Sequence, residues 1–228
     1  MATTQENKKL IIAVLLRYIA VGILLGLLFF LTAGSLSYLN GWIYIGTMLL
    51  LMGVGFIILY KKDKALLEKR MKSSEKQKQQ IVFVISSGIL ILLIYILPGL
   101  DYRYKWSYVP NWLVAISWIM VSLGYSMNIC VMLQNSYASR VVEVQEKQKL
   151  IDTGLYSFVR HPMYLAIIPI YVFSPLMLGS FVALIPGILF PFTLILRIIN
   201  EEKVLVEGLE GYFEYTKKVK YRLIPYIW

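Results

Sequence analysis

Residues 10–33 read LIIAVLLRYIAVGILLGLLFFLTA. A bilayer-spanning helix needs about 20 consecutive, mostly apolar residues. This run supplies them with one interruption, Arg17, whose long side chain can snorkel back to the interface. Similar runs lie near Gly41–Tyr60, Ile81–Leu97, Trp112–Leu133, Pro162–Met177 and Ser180–Ile199. Together they predict an all-α, polytopic membrane helix bundle of about six spans (five to six). The last two spans, joined through Leu178-Gly179, form a helical hairpin, and an amphipathic cytoplasmic helix follows. The fifth, at sixteen residues, covers only about 24 Å at 1.5 Å per residue, so whether it crosses fully is open. The first run is too long for a signal peptide and leads into Ser35-Leu36-Ser37, not a small-residue cleavage site, so cleavage is not expected.

The composition agrees: 58% of the 228 residues are hydrophobic, against nearer half in an ordinary soluble domain. The one cysteine, Cys130, excludes a disulfide within the chain. The formal charge of +10 is read as basic loops that set membrane orientation, not as a nucleic-acid surface. Six spans would put 21 of the 23 Lys and Arg residues on the side of the termini, leaving only Arg103 and Lys105 opposite. By the positive-inside rule, the termini and the 134–160 loop are cytoplasmic, in a plasma or inner membrane or the endoplasmic reticulum. The 61–80 loop, KKDKALLEKRMKSSEKQKQQ, is a solvated topogenic linker or a surface for anionic headgroups.

Spans two to five contain no ionisable residue. An ion-coupled transporter would carry one at membrane depth, so that class is disfavoured. Gly22-x-x-x-Gly26 suits plain helix packing. Gly53-Val54-Gly55 sits inside an apolar run, not between a strand and a helix, and is no dinucleotide fingerprint. Pro169, Pro175, Pro186 and Pro191 fall in the last two spans, where each removes a helical hydrogen bond and can open a kink.

Polarity concentrates in the last third. His161, the only histidine, precedes Pro162 at the expected first position of a helix, where proline's missing N–H is harmless. Arg160 and His161 would then stand at a positive helix end that suits a carboxylate, or would simply cap a span boundary. Further on comes Arg197-Ile198-Ile199-Asn200-Glu201-Glu202. On a continuing helix Arg197 and Glu201 share a face, and Glu202 is offset by about 140°. Val204, Leu205, Leu209, Tyr212, Phe213 and Thr216 mark one face of a helix expected to lie on the membrane surface, where it would cover a site or anchor the tail.

The stretch Gly154-Leu155-Tyr156-Ser157-Phe158-Val159-Arg160-His161-Pro162-Met163-Tyr164, a hairpin, and then Arg197-x-x-x-Glu201-Glu202 resemble the isoprenylcysteine carboxyl methyltransferase family and its phospholipid N-methyltransferase relatives. A later glycine and tyrosine (Gly211, Tyr215) and Ile224-Pro225 fit the same pattern. The resemblance covers about 128–228, which divides the chain into 1–127, transmembrane helices with a basic loop, and 128–228, a catalytic region. Ala166 stands where the family often has glycine, and Leu155 where it often has proline; both departures touch pocket detail.

The resemblance implies S-adenosylmethionine bound at the cytoplasmic face without a Rossmann domain. Leu150, Gly154, Tyr156, Arg160, His161, Pro162, Tyr164 and Glu202 would surround it, and Arg197, Glu201 and Glu202 would be catalytic. No metal is expected. The acceptor would be a lipophilic small molecule or prenylated substrate entering from the bilayer. A carboxylate acceptor would be gripped by Arg197, itself fixed by Glu202; an amine would instead call on Glu201. Phospholipid amines, thiols and a non-catalytic scaffold or carrier are the rival readings, and the oligomeric state is open.

Overall fold

The computed structural model describes residues 2–72, 78–138 and 143–228; Lys76 and Arg140, both counted in the charge balance above, lie outside them. The described chain is all-helical with no strand. Its elements are α1 (Ala2–Ala33), α2 (Leu39–Lys62), α3 (Lys64–Lys72), α4 (Lys78–Tyr104), α5 (Asn111–Gln134), a 3-10 turn (Gly154–Ser157), α6 (Pro162–Met177), α7 (Leu184–Gly208) and α8 (Tyr212–Lys218). Five of them, α1, α2, α4, α5 and α7, are long and apolar enough to cross a membrane. The chain is thus a multi-pass membrane protein. Large apolar side chains such as Leu31, Leu50, Phe192 and Leu196 stay exposed on the outside of the bundle, as an apolar surrounding requires.

Helix α6 matches its expected bounds and, at 16 residues, is shorter than the five candidate spans; it lies between the two ends of the bundle. One end is tied by the Tyr38 hydroxyl, which donates to the Leu178 carbonyl, and by Asp101, buried to 1% exposure. Asp101 accepts from Ser107 N at 2.7 Å and from the Ser107 and Ser180 hydroxyls at 2.5 Å each. The other end is tied by Lys64 donating to Asn7, by Lys69 Nζ donating to Gln145 Oε1 at 2.7 Å, and by Arg70 Nη1 donating to the Ala138 carbonyl at 2.6 Å. Helix α6 begins at the second end and finishes at the first. It is joined to α7 by a turn over 178–183 that extends the expected Leu178-Gly179 connection, and Gly179 N donates to Leu176 O at 3.0 Å.

Three boundaries differ from the sequence reading. Helix α4 continues through Pro98 to Tyr104, so Asp101 is helical and buried instead of lying in a loop; its three donors compensate the cost of burying a carboxylate. Pro186 sits in the first turn of α7, where the missing N–H breaks nothing, and the interior prolines are Pro169, Pro175 and Pro191. The surface helix expected through Thr216 is two helices: α7 runs to Gly208, and Gly211, at φ 80°, turns the chain into α8.

The tightest pair is α5 with α6. Lipid tails offer no hydrophobic drive between helices, so close backbone approach does the packing. Gly124 provides it, since a Cβ there would lie 2.8 Å from the Ala166 carbonyl oxygen and 2.9 Å from both Ile170 Cγ1 and Pro169 Cγ. That contact fixes where the N-terminus of α6 sits.

Candidate active site

Pro162 opens α6 with His161 as its N-cap. The two residues before the proline cannot feed the helix ladder, and their N–H groups need partners elsewhere. Arg160 N donates to Tyr221 O at 3.0 Å and His161 N donates to Arg222 O at 2.9 Å. A strap of chain beyond α8 is therefore laid along the site. It is anchored by Leu223, which is buried with Ile94, Phe190, Leu194 and Ile198.

The strap also brings Arg222, whose Nε donates to Glu202 Oε2 at 2.7 Å. The other carboxylate oxygen lies 2.8 Å from Arg160 Nε, an ion pair off the hydrogen-bond line, and 3.3 Å from His161 Nε2. Arg160, His161 and Glu202 are each at most 9% exposed. Buried charges persist only when paired, and Glu202 pairs with three groups from two segments, Arg160 and His161 before α6 and Arg222 on the strap.

Glu201 faces elsewhere, as the one-residue rotation requires. It accepts the Tyr164 hydroxyl at 2.5 Å, and that hydroxyl in turn accepts Arg197 Nε at 2.8 Å. The Arg197 guanidinium lies 4.8 Å from the centre of the Phe83 ring on α4. The link from Arg197 therefore runs through Tyr164 to Glu201, whereas Glu202 secures Arg160 and Arg222.

Beside this cluster is a cleft of about 820 Å³, open to solvent. Leu150, Tyr156, Arg160, His161, Pro162, Tyr164 and Glu201 line it, together with Asn135, Met163, Tyr212 and Tyr215. Gly154, Arg197 and Glu202 stand outside the lining. Gly154 forms the turn behind it at φ 60°, with a Cβ position 2.6 Å from Gln134 Oε1. Gln134 Oε1 accepts Leu155 N at 2.9 Å, and the Asn135 amide donates to the Tyr156 hydroxyl at 2.9 Å. Tyr215 clamps the same residue from α8 by donating to the Tyr156 carbonyl at 2.6 Å. Burial pushes the Tyr156 phenol up to about 12, with Glu201 adding to the rise and the Asn135 bond opposing it, so it faces the cleft protonated. Gly154→Ala should lower stability by about 1–2 kcal/mol, since an L residue is strained at this φ. Thermal unfolding in detergent checks this.

Asn135, Tyr212 and Arg222 are residues that motif reading does not reach, whereas Tyr215 belongs to the pattern quoted above. Gln134-Asn135, polar at the end of an apolar run, was a usable signal for the first. Leu209, Tyr212, Tyr215 and Val219 pack against Val144, Leu150 and Leu205, while Phe213 is 57% exposed. Helix α8 thus packs over the cleft through Tyr212 and Tyr215, with Phe213 turned outward.

The multi-pass helical bundle thus gathers its buried ion pairs and a polar cleft at one end. Residues 113–207, which cover α5, α6 and most of α7, are similar to the isoprenylcysteine carboxyl methyltransferase (ICMT) family. Comparison with curated proteins gives no match. Helix α8 and the strap lie beyond the matched residues.

Proposed function

We propose that this protein is an S-adenosylmethionine-dependent methyltransferase acting on a lipophilic acceptor, with carboxyl O-methylation its favoured reaction. The supporting observation is the chain Arg197–Tyr164–Glu201, whose middle member lines the cleft. We place the site and the chain termini on the cytoplasmic side, because the positive-inside rule assigns the basic end of the bundle there. Residues 128–228 would form the catalytic region.

The donor set fits the cofactor. The cleft is concave and mixes apolar with polar side chains, as small-molecule sites do. Its wall offers a carboxylate (Glu201), a guanidinium (Arg160) and tyrosine rings, which suit an ammonium, a carboxylate and a sulfonium respectively. When bound, S-adenosylmethionine supplies an electrophilic methyl group. Leu150, Tyr156, His161 and Tyr164 would hold it, with Gly154 and Glu202 supporting that wall from behind.

The protein's own task is alignment, and well-oriented reactants can save about 7–11 kcal/mol of a bimolecular barrier. Arg197 is a planar, permanently charged grip for a carboxylate acceptor. Tyr164 fixes its orientation by accepting a hydrogen bond from the Nε–H, and Glu201 fixes Tyr164 by accepting its hydroxyl. Phe83, stacked on the guanidinium, keeps it against α4 and the apolar side of the bundle.

Arg197→Lys should lower kcat/KM for a prenylated carboxylate by at least about tenfold, because lysine cannot reproduce bidentate recognition, and should leave the thermal shift caused by S-adenosylmethionine unchanged. Equal activity in the variant, or a preference for amine or thiol acceptors in a panel assay with labelled cofactor, would remove the carboxylate assignment. Absence of any shift at millimolar cofactor would remove the enzyme reading and favour a scaffold, since a ligand at 100 times its Kd adds about 2.7 kcal/mol.

A further inference from the structure

Helix α8 closes one wall of the cleft with Tyr212, which is 4% exposed and lines the cavity. Its ring packs against Tyr215 at 5.6 Å and its backbone N–H donates to the Leu209 carbonyl at 3.2 Å. The side-chain hydroxyl is buried and has no hydrogen-bond partner among the described residues. A phenylalanine would pack as well here without burying an unpaired donor, and native proteins satisfy nearly all such groups.

The surroundings say what the hydroxyl can do. Burial first, then the Glu202 and Glu201 carboxylates, raise the phenol above its ordinary value, with Arg160 opposing them; it stays protonated and can donate. Glu201 accepts Tyr164, and the Glu202 oxygens face Arg160, His161 and Arg222, so the neighbouring carboxylates are engaged elsewhere. What the hydroxyl lacks is an acceptor, and the nearby Arg160 cation makes an anionic one the best match.

We propose that Tyr212 is a ligand-binding residue whose hydroxyl donates to the carboxylate at the amino-acid end of the bound cofactor, a proposal that rests on the cofactor reading above. Arg160 supplies the matching positive charge, and Glu201 across the cleft suits the ammonium of the same zwitterionic group. The cover over the cleft is thereby also part of its recognition surface. Residues beyond the family-matched segment then contribute to cofactor affinity.

The test is direct binding to the full-length protein in detergent, with S-adenosylmethionine and with 5′-methylthioadenosine, which lacks the amino-acid end. Tyr212→Phe should weaken S-adenosylmethionine by roughly tenfold or more, the scale of a lost hydrogen bond to a charged group. It should leave methylthioadenosine within about twofold, because no bond to that ligand is lost. The ligand-free variant should melt at the same temperature or higher, since an unsatisfied buried hydroxyl has been removed. Unchanged S-adenosylmethionine affinity, an equal loss for both ligands, or a lower ligand-free melting temperature would overturn the assignment. If the wild type bound neither ligand, the cofactor reading itself would fall and Tyr212 with it, an outcome distinct from any defect of the variant.

Discussion

Glu202→Ala is expected to destabilise the protein by about 3–5 kcal/mol, because it leaves Arg160 buried without its counter-charge. Arg160 and His161 are 9% and 5% exposed, so water cannot easily replace the lost carboxylate. Arg222 is less affected: its side chain is 37% exposed and can turn outward. Arg222→Ala should therefore cost well under half as much as Glu202→Ala. A double-mutant cycle between Glu202 and Arg222 isolates their coupling, and one between Glu202 and Arg160 should give the larger value. Thermal unfolding in detergent is the measurement. Equal costs for the two single variants would show that the strap, not the buried carboxylate, holds the cluster together.

Gly124→Ala is the second large expectation. The added methyl would meet a backbone carbonyl and two side-chain carbons, all under 3.0 Å away. A carbonyl held in a helix cannot swing aside, so α5 and α6 must separate. Overpacking of this kind costs about 1–3 kcal/mol. Because α6 carries His161 at its cap and Tyr164 in its first turn, the separation should also weaken S-adenosylmethionine binding. Ala at Gly88, inside α4 with nothing within 4 Å, is the control: it should leave binding unaltered and the melting temperature equal or slightly higher, since Ala favours a helix interior over Gly.

Most of the bundle was legible in the sequence because lipid imposes a simple demand. Each crossing needs a run of apolar residues of fixed length, and Pro162 marks a start that periodicity alone would blur. The end of α4 was not legible: the apolar run stops at Leu97, whereas the helix continues through Pro98 to Tyr104. The split between α7 and α8 was marked by Gly211, yet Leu205, Leu209 and Tyr212 keep a helical spacing across it and so hide the break.

At the site, the rotation between Glu201 and Glu202 followed from helix geometry, and the two carboxylates do point to different partners. Which partners they find did not follow. Glu202 meets Arg160 and Arg222 only because the strap pairs its backbone with 160–161, and no spacing rule announces a contact between residues 161 and 222. Tyr212 was hidden for the opposite reason. Its position in an apolar-looking stripe concealed the hydroxyl, and only the folded chain shows it buried without an acceptor.

The strap also has a bearing on how the molecule is made. Arg160 and His161 emerge during synthesis ahead of α6, Glu202 emerges with α7, and Arg222 later still. Insertion of the hairpin thus precedes any chance for these charges to meet, and their pairing is a long-range step of the kind that slows folding. Delivery into the membrane and maturation of the site become separable events. A chain with a damaged strap would reach its full complement of inserted helices and still fail to mature, so cellular quality control acting on exposed charge at the membrane surface would meet it as a late intermediate, not as a topological error.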